Sequence, residues 1–138
     1  MANRNRFYPH LLDPDIDLWE DFLKVHGSDY THFDYDVRVG AGRDPGTIVS
    51  EKFRKVGIDL SKRRIDVVGF RSGAIDIIEV TVYADLKSLG QLMTYPDLYR
   101  NTFKLNNKLQ PVLVCREIAP DISGAIAKNN ITVRVFPE

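Results

Sequence analysis

Residues 64–81 read RIDVVGFRSGAIDIIEVT, two strongly apolar segments joined at Arg71-Ser72-Gly73-Ala74, each carrying a carboxylate. Both halves are rich in Val and Ile, and Ser-Gly at the centre is a hairpin signal, so the stretch predicts two adjacent antiparallel strands. A tight turn centred on Ser72-Gly73 sets Phe70 opposite Ile75 and, further out, Asp66 across from Glu79. Side chains alternate along a strand, so the two acids share a face, with Cβ atoms roughly 4.5 to 5.5 Å apart. Like charges so placed repel, and three remedies are open: a shared proton, a basic neighbour, or a divalent cation held between the oxygens. The same register puts Arg64 opposite Thr81 on the acidic face, one step further along.

The segments outside this hairpin fit a single compact domain. With 138 residues, 43% of them hydrophobic, and no linker-like stretch, the chain suits one core. Residues 1–14 are polar and proline-punctuated and read as an N-terminal arm, and residues 15–138 as the domain. No apolar run approaches the roughly 20 residues of a membrane span, and MANRNRFYPHLL lacks a secretory segment, so a soluble, intracellular protein with no membrane partner is expected. Cys115, the single cysteine, lies in an apolar run and reads as buried strand filler.

Nineteen Lys and Arg balance nineteen Asp and Glu, and the sequence pI is near 6.8, so overall charge does not advertise a nucleic-acid binder. The distribution is less even. Lys52, Arg54, Lys55, Lys62, Arg63 and Arg64 gather before the hairpin with only Glu51 and Asp59 of opposite sign; they can track a phosphate backbone or form a solvated face. His10, His26 and His32 match no zinc spacing.

Along the chain, Asp15 or Asp17 caps a helix in which Leu18, Trp19, Phe22, Leu23 and His26 recur at helical spacing before Gly27. Residues 35–39 read as a strand, ended by Gly40 and Gly42. A brief helix falls within residues 47–55. After Thr81 a helix covers about residues 85–100, with Pro96 expected to kink or divide it and with Gln91 and Tyr95 on one face. A buried strand (111–115), a helix opened by Ala119-Pro120-Asp121 with Ile122 and Ile126 inward, and a last strand (131–136) complete the order. Within the hairpin, Ile65, Val67, Ile78 and Val80 are expected on one face and Val68, Phe70, Ile75 and Ile77 on the other. A sheet apolar on both sides needs helices on both faces, so the fold class is α/β with a mixed central sheet.

These residues resemble the PD-(D/E)XK nuclease superfamily over about residues 19–114. The likeness rests on Arg64-Ile65-Asp66, on the acid within Ile78-Glu79-Val80-Thr81, and on a following helix carrying Gly90-Gln91 and Tyr95. It implies a restriction-endonuclease-like αβββαβ core in which Asp66 and Glu79 bind Mg²⁺ or Mn²⁺, the Val80 carbonyl adds a ligand, and Gln91 and Tyr95 support the site. Glu20 matches the acid that some members supply from the first helix. The motif lysine is replaced by Thr81, which brings no cation. Arg64 or Lys87 could restore the charge, although an arginine is a poor proton acceptor. The KRRIDVVGF and GQLMTYPDLY segments resemble short phage-encoded members. Two functions follow: a metal-dependent DNA nuclease in a bacterial cytoplasm, with residues 52–63 against DNA, or a non-catalytic phage structural, connector or accessory protein whose partners are other proteins or further copies of the chain, in the virion. A DNA-binding module that does not cleave is a third reading.

Overall fold

A computed structural model describes residues 8–138. Helix α1 (Asp13–His26) opens with Pro14 in its first turn, where the missing N–H costs nothing, and with Asp13 and Asp15 at the positive end of the helix dipole. It therefore starts ahead of the cap expected at Asp15 or Asp17. Ile16, Leu18, Trp19 and Phe22 are buried along its inner face. The Trp19 ring stacks on Phe22 at 4.8 Å, and its indole N–H donates to the Tyr35 hydroxyl at 3.1 Å. Of the expected N-terminal arm, residues 1–7 lie outside the described residues; from residue 8 the chain is docked, with Leu11 in the core beside α1.

Strand β1 (His32–Val39) leads through a loop to α2 (Glu51–Leu60), which Ser50 caps by accepting the Phe53 N–H. The helix thus lies later than the 47–55 window read from the sequence. Strands β2 (Arg63–Arg71) and β3 (Ala74–Ala84) form the hairpin, closed with Gly73 at a φ of 77°, a conformation glycine adopts without strain. Phe70 stands opposite Ile75, and the pairing runs out to Val67 and Ile78. Helix α3 (Leu86–Phe103) follows, capped by Asp85, which accepts the Lys87 and Ser88 N–H groups. It remains one helix through Pro96 rather than dividing there. One backbone bond is lost, but Leu92, Tyr95 and Tyr99 are buried on both sides of the proline and tie both halves to the sheet. Strand β4 (Leu109–Ile118), a 3₁₀ turn (Pro120–Ile122), helix α4 (Ser123–Lys128) and strand β5 (Thr132–Val135) finish the chain.

The five strands lie in chain order, antiparallel from β1 to β3 and parallel from β3 to β5. Helix α1 covers one face through Val67, Ile78, Val80, Val112 and Val114. Helices α3 and α4 cover the other, α3 over Val68, Ile75 and Ile77 and both over Leu113 and Cys115. The central strands are covered on both sides, which accounts for their near-continuous Val and Ile content. Cys115 is fully buried in β4. No helix among the described residues is long and apolar enough to cross a membrane.

The alternation of faces breaks at one level of the sheet. Tyr35 and Val67 pack on the α1 side, whereas Val37 and Ile65, two residues away on the same strands, pack on the α3 side. Regular strands would keep each pair on one face. Between them lie Asp36, at a φ of 54°, and Asp66, and both drop out of the strand pairing. Ile65 therefore does not share a face with Val67, as its spacing implies, because the backbone turns over at the carboxylates.

Candidate metal and phosphodiester site

The turnover at Asp66 releases its side chain from the flat sheet and leaves it buried, at 8% exposure. Its Oδ2 accepts the Val80 N–H at 3.0 Å, so the carboxylate replaces a strand partner at the place where β2 and β3 begin to part. Glu79, half-buried on the neighbouring strand, is within side-chain hydrogen-bonding reach of Asp66. Burial pushes the Asp66 carboxyl up to about 6, and the nearby Asp15 and Asp36 charges add to the shift while the Val80 N–H opposes it. Glu79 is raised further, first by burial and then by the Asp66 charge, with Lys87 pulling the other way. Burial and mutual repulsion therefore favour the protonated form of both acids relative to ordinary surface carboxyls.

Both acids open into a cleft of about 430 Å³ lined also by His10, Asp15, Arg64, Val80, Thr81, Lys87 and Gln91. Two of these side chains were not anticipated. Asp15 faces the cleft from the first turn of α1, accepts the Val82 N–H and has its pKa raised by burial. The imidazole of His10 comes within 3.9 Å of Asp66. The cue for Asp15 was present in Asp13-Pro14-Asp15: proline in a first helical turn starts α1 early and turns Asp15 toward β3. Glu20, the acid expected from the first helix, lies on α1 but does not line this cleft.

The two candidate replacements for the missing lysine differ. Arg64 borders the cleft, but its guanidinium forms a two-pronged pair with Asp36, Nε to Oδ1 at 2.6 Å and Nη2 to Oδ2. Lys87, exposed at the start of α3, borders the cleft and favours the ionised form of Glu79. Thr81 donates its hydroxyl to the Tyr83 carbonyl at 3.3 Å. On α3, the Gln91 amide donates to the Tyr95 hydroxyl at 3.3 Å, burial and then the Glu79 charge raise the Tyr95 pKa, and Gln91 and Tyr95 border a small recess with Glu79.

The basic stretch is not one free patch. Arg54 is clamped by Asp44 at 2.6 and 2.8 Å, Lys55 lies 3.6 Å from Glu51, and Lys62 lies 3.9 Å from Asp59. Lys52 and Arg63 are exposed. Arg63 borders a shallow recess with Lys87, Gln91 and Tyr95, adjoining the main cleft.

Among the described residues, no group of three or more His, Cys, Asp and Glu side chains is arranged to hold a metal ion. Two carboxylates are nevertheless a common protein share for Mg²⁺, which keeps several waters and takes further oxygens from phosphate. The donor chemistry of Asp66 and Glu79 fits such an ion: all oxygen, crowded, and with both pKa values raised by burial and by neighbouring carboxylates.

No protein-family model matches the chain, and no curated protein matches it. Among solved structures it is similar to a repair endonuclease from Pyrococcus abyssi, at 16% identity and a TM-score of 0.54 over 92% of this chain and 48% of that one. It is also similar to EndoMS, solved in a complex with dsDNA, at 15% identity and a TM-score of 0.53 over 92% of this chain and 46% of that one. The chain spans about half the length of these proteins, and at such identities the likeness is one of fold. The mixed five-stranded sheet with helices on both faces is an endonuclease-like α/β fold.

Proposed function

We propose that the protein is a metal-dependent DNA nuclease of the PD-(D/E)XK type, hydrolysing phosphodiester bonds at the Asp66–Glu79 cleft. The observation that carries this reading is two crowded, buried carboxyls facing one another in an open cleft beside one lysine, on a fold shared with endonucleases. A structural cluster would be charge-matched; perturbed acids facing one another in a cleft mark a functional site.

Mg²⁺ or Mn²⁺, when bound, would supply Lewis acidity and a water of lowered pKa. Asp66 and Glu79 would hold it, giving up their protons, and the Val80 carbonyl would add a further ligand. The Val80 N–H fixes the Asp66 carboxylate, so one oxygen is oriented before any ligand arrives. Lys87 stands where a cation offsets charge on the cleaved phosphate, replacing the lysine that Thr81 lacks, and Arg64 instead positions Asp36 behind Asp66. Gln91 and Tyr95 form the wall on which the phosphate lies, and Arg63 and Lys52 extend the path for the DNA strand.

Incubation of supercoiled and linear duplex DNA with the protein and Mg²⁺ or Mn²⁺ tests this. Metal-dependent nicking or degradation that Asp66→Asn and Glu79→Gln abolish is expected; cleavage that survives both substitutions contradicts it. Arg64 being spoken for by Asp36, and Thr81 standing in the motif position, favour one second reading: a nuclease fold retained by a phage structural or accessory protein without catalysis. That protein would leave DNA intact while still forming a defined assembly.

A further inference from the structure

A second cleft, of about 420 Å³, opens at the turn end of the hairpin, and its hydrogen-bonding groups are unequally spent. Gly69 stands opposite Asp76, and a Cβ there would lie 2.6 Å from the Tyr30 ring. Glycine thus lets that ring lie against β2, with its hydroxyl donating to Asp76 at 2.6 Å. Asp76 also accepts the Arg71 Nε at 3.0 Å on both oxygens, so its carboxylate is fully engaged. Arg71 gives it only Nε; its two Nη groups have no hydrogen-bond partner among the described residues. On the edge strand β5, Val133 packs in the cluster beneath α3 and α4, so alternation puts Thr132 and Arg134 on the α1 side, Thr132 beside Val112. Arg134 is exposed and makes no hydrogen bond or ion pair with a described residue. Both arginine charges reach the Tyr30 hydroxyl, pulling its pKa down against the burial and the Asp76 contact that raise it. Ser72 and Thr132 add two hydroxyls to the lining. The remaining acid, Asp29, already has the His26 Nδ1 at 3.4 Å. The acceptors here are taken, and the free groups are donors.

We propose that this cleft binds a phosphate group, carried by a free nucleotide or by a nucleic-acid strand, with Arg71 and Arg134 as its charged donors and Ser72 and Thr132 as its hydroxyl donors. A carboxylate has two oxygens, enough for one guanidinium fork, whereas a phosphate can engage both arginines and still accept from a hydroxyl. Buried Asp76 holds Arg71 in place before any ligand arrives, so little freedom is lost on binding. Asp29 works against an anion, and His26 beside it softens that opposition. The site is distinct from the Asp66–Glu79 cleft. Asp15 lines that cleft and His26 lines this one, and the two stand at opposite ends of α1, roughly 16 Å apart at 1.5 Å per residue. Phosphate binding here therefore needs no divalent metal and does not rest on the nuclease reading.

Calorimetric titration in EDTA with inorganic phosphate, a deoxynucleoside monophosphate and a short single-stranded oligonucleotide tests the proposal. Binding is expected for at least one of the three, and acetate at equal ionic strength should not compete. Arg134→Gln should weaken that binding about tenfold or more. This variant removes an exposed side chain with no partner to lose, so the fold is not at risk. Arg71→Lys, which keeps a cation beside Asp76 but removes the spare Nη groups, should weaken it similarly. Asp29→Asn should tighten it about threefold, and Lys87→Ala, in the other cleft, should leave it unchanged. Tighter binding of the mononucleotide than of the oligonucleotide identifies a free nucleotide as the source, and the reverse order identifies a strand. No heat from any of the three probes overturns the proposal, as does binding indifferent to both Arg134→Gln and Arg71→Lys. Acetate bound as tightly as phosphate, or binding lost in Lys87→Ala, overturns it too, since the site would then not be selective for phosphate or would be the other cleft.

Discussion

One hairpin buries a carboxylate at each end, and the two are treated oppositely. At the turn end, Asp76 is 3% exposed and fully answered: Tyr30 donates its hydroxyl at 2.6 Å, and Arg71 donates its Nε at 3.0 Å. At the open end, Asp66 is nearly as buried, but most of its neighbours are further acids, Glu79, Asp15 and Asp36; Asp36 has already taken the adjacent arginine, and the His10 imidazole comes no nearer than 3.9 Å. Each end opens into a cleft of similar volume, about 420 and 430 Å³. Volume therefore does not separate them, whereas charge matching does. A buried acid gripped by its own cation belongs to the fold; one crowded by acids, with only His10 at 3.9 Å and Lys87 across the cleft, leaves room for a counter-charge that a ligand can bring.

The largest expected effect lies at the mismatched end. Asp66→Asn and Glu79→Gln should each lower metal-dependent cleavage by about 1,000-fold, roughly 4 kcal/mol of transition-state stabilisation, in a single-turnover assay. Both variants should unfold no more easily than wild type in denaturant titrations, because a neutral amide relieves the crowding. The matched end should respond the other way: Asp76→Ala leaves Arg71 and Tyr30 without their acceptor and should cost about 3 kcal/mol of stability, while metal affinity in the folded fraction is unchanged. If Asp66→Asn destabilises as much as Asp76→Ala, the two ends are not different in kind.

Next comes the choice of cation. Lys87→Ala should reduce cleavage about 30-fold, and Arg64→Ala less than about fivefold, because the guanidinium acts through Asp36 rather than on phosphate. The reverse order, measured as single-turnover rates at saturating metal, would return the missing lysine's role to Arg64.

The hairpin was legible in the sequence because local chemistry specifies it. Ser-Gly between two Val- and Ile-rich segments set the turn, which set Phe70 against Ile75, and apolar residues on both faces required helices on both sides. What escaped was nonlocal. Nothing in the hydrophobic pattern marks the turnover at Asp36 and Asp66, since that depends on a positive φ which aspartate tolerates better than most residues. Arg64 was therefore placed opposite Thr81, when its partner comes from β1. Asp15 and His10 reach the cleft only because the chain from residue 8 docks against the core, and an assignment of residues 1–14 to an arm hides both. Pro96 misled because propensity argued for a break and tertiary burial on both sides prevailed.

A separate effect, on stability rather than rate, is pH dependence. Asp66 holds its proton more tightly in the folded chain, to about 6 against an ordinary 3.8, so its contribution to stability is complete below about pH 3.8 and is lost as pH rises through about 6. Without metal, wild type should lose on the order of 1–3 kcal/mol relative to Asp66→Asn across that window. A difference that stays constant with pH would mean the carboxyl is not held protonated.

The account depends on two acids that keep a proton until a divalent ion displaces it. Calorimetric titration of Mn²⁺ near pH 6, repeated in buffers of different ionisation enthalpy, measures this directly. It should show binding of one or two ions accompanied by proton release, both lost in Asp66→Asn and Glu79→Gln. Binding with no proton released, or heats unchanged by either substitution, would contradict it.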